Sequence, residues 1–191
     1  LGNFQTPVDE DGALATIDLA YQSGVRYFDV APQYGHGLAE HRFGHILRRY
    51  SRESYILASK VGRLCIPDAN VARDGLFRDP LPFRLQDIYT RDAILRSIDD
   101  SYQRLGIVEI DILYIHNIDS ALHPPDELEA LFKQAMNEAF PTLAELRDQG
   151  VIKAIGVGNN YTDMCERFAR AGDFDCFLLA GRYTLLEQGP L

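Results

Sequence analysis

The feature that most constrains the fold is a short apolar strand that ends on a carboxylate and opens into a Pro/Gly loop. The stretch is Val25-Arg-Tyr-Phe-Asp-Val-Ala-Pro-Gln-Tyr-Gly35, read as a strand from Arg26 to Val30 with Tyr34 in the loop beyond it. Asp29 lies among apolar residues, where a charge needs a partner, so it belongs at the strand's carboxyl end. Two later strands end in the same manner. Tyr55-Ile-Leu-Ala-Ser-Lys60 finishes on a lysine and Ile110-Asp-Ile-Leu-Tyr-Ile-His116 on a histidine. An acid, a base and an imidazole are thus delivered to one end of a sheet, and in a parallel barrel that end carries the chemistry.

Between these strands the pattern changes to helical spacing. Leu14, Ile17 and Tyr21 share one face of a helix that Gly24 closes, and Phe43, Ile46, Leu47 and Tyr50 share a face of the next. Thr90 caps a third helix, with Ile94, Leu95, Ile98, Tyr102 and Leu105 inward, and Gly106 stops it. A fourth is expected from about Asp126, broken or restarted at Pro141. A strand at 151–157, a helix from Thr162 to Ala171 and a strand near 175–180 complete the order. Gly62 to Tyr89, with Pro67, Pro80 and Pro82, shows no sustained periodicity and reads as a substrate-side loop or lid.

Strand and helix in alternation predict a parallel sheet covered by helices. The chain offers five strands and the tail of another at residues 1–4, where a closed eight-stranded barrel takes ~250 residues. We therefore expect a single domain over residues 1–191, a (β/α)8 TIM barrel present to about its sixth strand and incomplete at its C-terminal side.

The net charge of −9 argues against nucleic acid and against an anionic membrane surface. No apolar run approaches the ~18 residues of a membrane span. Cys65, Cys165 and Cys176 are odd in number and unpatterned, as expected of reduced thiols in a cytoplasmic protein. His41 and His45 stand four apart on a helix, but Arg42 holds the place where a zinc protease has glutamate, and no metal site is expected. Gly156-Val-Gly158 lacks the third glycine of a dinucleotide fingerprint.

Phe28-Asp29 with Tyr34-Gly35 and Glu40, Ser59-Lys60-Val61-Gly62, Ile115-His116 and Gly150-Val-Ile-Lys-Ala-Ile-Gly-Val-Gly-Asn159 together resemble the aldo-keto reductase superfamily. Within it, Ile112–Asp119 and Ala180–Glu187 look most like the sugar 1-dehydrogenase and pyridoxal 4-dehydrogenase group. The resemblance implies Tyr34 as acid/base, Lys60 tuning it, Asp29 holding Lys60 and His116 orienting the substrate oxygen. The residue types suit that work: a phenol titrates near pH ~10, and a neighbouring ammonium favours its ionised form. The resemblance further implies an NAD or NADP cofactor, NAD favoured, and a sugar hemiacetal or aldehyde as substrate, oxidised to a lactone in the sugar case. Asn159 and Tyr183 are the implied cofactor contacts. Gly158 stands where the family has serine and Ala180 where it has glutamine. A monomer or homodimer is expected. The alternative reading is a non-catalytic, nicotinamide-binding regulatory subunit on the same fold.

Overall fold

A computed structural model describes residues 1–189. Five parallel strands form a curled half-barrel: β1 (Tyr27–Asp29), β2 (Ile56–Val61), β5 (Ile112–His116), β6 (Ala154–Asn159) and β7 (Cys176–Leu179), paired in that order. Helices follow the strands: α1 (Glu10–Gln22) precedes β1, α2 (Leu38–Leu47) follows it, α3 (Arg91–Leu105) leads to β5, and α6 (Thr162–Ala171) joins β6 to β7. Strict alternation along each strand sorts the residues. Phe28, Leu57, Leu113, Ile115, Ile155 and Val157 turn outward into a core shared with Ile17, Ile46, Ile94, Ile98, Leu143 and Phe168 of the helices. The registered positions between them face inward, among them Lys60 opposite Tyr114 and His116 opposite Gly158.

The expected helix signals act as read. The Thr90 hydroxyl accepts from the Ala93 N–H, and Gly106 takes the left-handed conformation (φ 61°) at the end of α3. The helix after β5 runs α4 (Pro125–Gln134), a π turn (Ala135–Ala139) and α5 (Phe140–Asp148). Pro141 thus follows directly on the widened turn of a helix that continues through it, and that turn accommodates its missing N–H. Asp111, 4% exposed, binds three neighbours at the start of β5: the Arg52 guanidinium, the Leu57 N–H at 2.8 Å and Lys153 Nζ at 2.7 Å.

Two expectations are corrected. Gly62 to Tyr89 is not structureless: β3 (Arg63–Pro67) and β4 (Phe83–Asp87) form an antiparallel hairpin at the carboxyl end of β2. Phe83-Arg-Leu-Gln-Asp87 has the two-residue alternation of a strand, masked by the irregular link at 68–82. Gly62 makes the tight entry, with φ 100° and a Cβ position 2.0 Å from the Tyr89 ring. Residues 1–4 form no barrel strand either. Positive φ at Asn3 (61°) and Gln5 (57°) prevents an extended run, and Phe4 makes one isolated antiparallel bridge to Phe77 in the link. Buried Arg42 fixes this segment by donating to Leu1 O (2.6 Å), Asn3 Oδ1 (3.0 Å), Val8 O (2.9 Å) and Glu10 (2.8 Å). The terminal stretch from Leu185 takes bends and turns up to residue 189, and its last two residues lie outside those described.

Candidate active site

The loop after β1 is bound on every side. Tyr34 N–H donates to Ala31 O (3.1 Å), Ala39 N–H to Tyr34 O (3.0 Å), and Leu81 N–H to Gly35 O (3.1 Å). A Cβ on Gly2 would sit 2.4 Å from the Tyr34 carbonyl carbon, so glycine there lets the N-terminal segment close against the loop. These contacts aim Tyr34 into a cavity of about 410 Å³ at the carboxyl end of the sheet. Lys60, His116, Gly158, Asn159 and Leu178 reach it from β2, β5, β6 and β7, and Ala180 from just past β7.

Lys60 is 2% exposed and its ammonium is ion-paired to Asp29 Oδ2, with a second hydrogen bond of 3.1 Å to Val30 O. Burial disfavours charge on both partners, lowering the lysine and raising the carboxyl, and their mutual attraction opposes this. Lys60 Nζ lies 5.0 Å from the Tyr34 ring centroid, and the Tyr34 and His116 rings meet edge to face at 6.0 Å. His116 is held far below its ordinary pKa by burial first and by the Lys60 and Arg63 charges second, so it is neutral. Its Nδ1 and the Asp29 Oδ1 are buried polar atoms without a hydrogen-bond partner.

The electrostatics of Tyr34 differ from what its lysine neighbour alone would give. Tyr34 is not lowered by its neighbour: burial pushes its pKa up, and the Asp29 carboxylate pushes it further. Desolvation is the larger of the two causes, because a phenolate in this buried place loses its water. Tyr34 is therefore a protonated phenol in this site.

The structure brings Asp29, Tyr34, Lys60, His116 and Asn159 together. Asn159 is 2% exposed, donates to Ile118 O (2.9 Å) and accepts from the Tyr161 N–H (3.0 Å), which commits one of its two amide N–H groups. Tyr183 is not brought in. It is 66% exposed in the bends after β7 and outside the cavity lining. Sequence reading missed the apolar wall of Phe4, Leu76 and Phe77, with the two phenylalanine rings edge to face at 5.9 Å. The apolar pair Leu76-Phe77 inside a polar stretch was its only trace. Among the described residues no group of three or more His, Cys, Asp or Glu is arranged to hold a metal ion. His41 and His45 instead line a separate polar surface pocket with Glu10, Arg48 and Arg104. No described helix is long and apolar enough to cross a membrane.

Comparison with known proteins agrees with this architecture. The model of the aldo/keto reductase family matches residues 1–190. A D-threo-aldose 1-dehydrogenase from a Pseudomonas species is 38% identical over 98% of this chain and 56% of its own length. Pyridoxal 4-dehydrogenase of Microbacterium luteolum is also 38% identical, over 98% of this chain and 58% of its own. The chain thus spans a little over half the length of these curated relatives. In fold it superposes on the holo form of aldo-keto reductase AKR11C1 from Bacillus halodurans with a TM-score of 0.66 and 22% identity, covering 92% of this chain and 50% of that one. Sequence, strand order and the gathering of side chains at the strands' carboxyl ends converge: the chain belongs to the aldo/keto reductase family.

Proposed function

We propose that this protein is a nicotinamide-dependent oxidoreductase acting on a sugar hemiacetal or an aldehyde, with a lactone as the product of sugar oxidation. The observation that carries the reading is the protonated Tyr34 phenol facing one cavity with the Lys60–Asp29 pair and neutral His116. A structural ion pair alone would need neither the tyrosine nor the imidazole beside it. The 38% identity to proteins named as aldose and pyridoxal dehydrogenases supports the substrate class.

The residues fit a bound nicotinamide. Asn159 keeps an amide N–H for a carboxamide, while Leu178 and Ala180 offer apolar surface on the same side of the cavity. When bound, that cofactor supplies or accepts the hydride. The chain's own groups handle the proton. In reduction the Tyr34 O–H donates to the carbonyl oxygen, and Lys60 Nζ offsets the charge left on the phenolate. His116, whose neutral ring borders the cavity beside Tyr34, orients the same oxygen. Oxidation runs the same transfer backward, from the substrate hydroxyl to the Tyr34 oxygen. Asp29 keeps Lys60 charged and placed. NAD is the favoured cofactor, and we infer that residues 1–191 fold as one domain.

The test is a screen of the complete native polypeptide with free aldoses and pyridoxal, each with NAD and with NADP, following absorbance of the reduced cofactor. Turnover of at least one of these substrates is expected. Cofactor binding without turnover of any sugar or aldehyde would instead favour a regulatory nicotinamide-binding role.

A further inference from the structure

Below the cavity one row of registered positions crosses the inner face of the sheet: Lys60 on β2, Tyr114 on β5, Gly156 on β6 and Cys176 on β7. Lys60 Nζ faces two phenol rings, Tyr34 at 5.0 Å and Tyr114 at 5.8 Å from their centroids. Tyr114 is 4% exposed and fixed at its far end. Its hydroxyl lies 2.8 Å from that of Tyr27, and the Cys176 thiol donates to it at 3.5 Å. Space for the ring comes from Gly156, where a Cβ would stand 2.6 Å from Tyr114 Cε1.

We infer that Tyr114 is a positioning residue for the proposed reaction: its ring face holds Lys60 as an ammonium beneath Tyr34. The inference rests on the oxidoreductase reading. Its physical basis is that a buried amine tends to lose its proton, and a ring face within about 6 Å attracts the cation. The titratable groups facing Lys60 are few. Asp29 comes from β1, Tyr34 from the following loop, Glu40 from α2, and Tyr114 and His116 from β5. Glu40 is fully buried and committed to Arg104 at 2.6 Å and to the Ser59 hydroxyl at 3.1 Å, and His116 is neutral. Burial lowers Lys60, with Asp29 and Glu40 opposing, and the Val30 carbonyl and the two ring faces, Tyr34 and Tyr114, add to the support for the charge.

The complete polypeptide carrying 13Cε-lysine tests this directly by NMR titration, with the Lys60 signal identified by its loss in Lys60→Arg. Tyr114→Leu removes the ring and should lower the Lys60 midpoint by about half a pH unit or more. Tyr114→Phe keeps the ring and should leave the midpoint where it is. The alkaline limb of turnover should move with the midpoint, down in Tyr114→Leu and unmoved in Tyr114→Phe. If Tyr114→Leu does not fold, Tyr114→Met fills the space with an unbranched chain and carries the same expectation. An unchanged midpoint without the ring overturns the inference, as does an equal shift in Tyr114→Phe, which would assign the effect to the hydroxyl contacts. Tyr34→Phe separates the two readings. Full turnover in Tyr34→Phe sinks the underlying reaction, whereas lost turnover in Tyr34→Phe together with an unmoved Lys60 midpoint in Tyr114→Leu sinks only the role of Tyr114.

Discussion

Asp29 raises the pKa of Tyr34, although the lysine it holds stands over that tyrosine's ring. Burial is the larger cause and acts in the same direction, so the phenol keeps its proton through neutral pH. Spectrophotometric titration checks this. Tyrosinate absorbance lost in Tyr34→Phe should come only from the region above the ordinary value of ~10. A tyrosine that ionises below that value in wild type and is missing from Tyr34→Phe would show that the site stabilises phenolate instead.

His116 makes stability depend on pH with a definite sign. Its folded pKa lies below the unfolded value of ~6.5, so the unfolded chain takes up the proton first. The stabilisation is complete above that value and is lost as pH falls below it, by at most about 1.4 kcal/mol per pH unit. Burial pushes His36 and His41 the same way, so the variant comparison isolates His116. Between pH 7 and pH 5, His116→Gln should lose less unfolding free energy in urea than wild type. Equal losses in the two proteins would mean the imidazole is not kept neutral by the fold.

Gly44 is where α2 meets the end of α3. A Cβ there would stand 1.9 Å from the Leu105 carbonyl oxygen and 2.7 Å from its Cα, and that backbone cannot swing aside. Alanine is the better helix former by about 1 kcal/mol, but overpacking costs about 1–3 kcal/mol or more, so the clash decides. Gly44→Ala should lower the thermal midpoint, whereas Gly75→Ala, which would meet nothing within 4 Å, should be close to neutral. Thermal melts that rank the two the other way would put the α2–α3 packing in doubt.

The fold was legible where local chemistry repeats. Asp29, Lys60 and His116 each close an apolar run, and Thr90 and Gly106 bracket their helix without tertiary help. Tyr183 could be placed only by its spacing after Ala180, and nothing local ties that spacing to the cavity. The β3–β4 hairpin was hidden because its strands are far apart in sequence and their pairing is a long-range property. Tyr114 escaped for the opposite reason. Inside Ile112-Leu-Tyr-Ile-His116 it reads as one more apolar strand residue, and only the register opposite Lys60 gives it a partner. The sign of the Tyr34 shift could not be read either, since it turns on how deeply the phenol is buried.

The central claim is that Tyr34 handles the proton of a hydride transfer at this cavity. Its most direct test is steady-state turnover of Tyr34→Phe in the complete polypeptide, beside cofactor affinity measured by isothermal titration calorimetry. Affinity should stay within a few-fold of wild type while turnover drops by about 10²–10⁴. Turnover within tenfold of wild type, with the cofactor bound as before, would contradict the account.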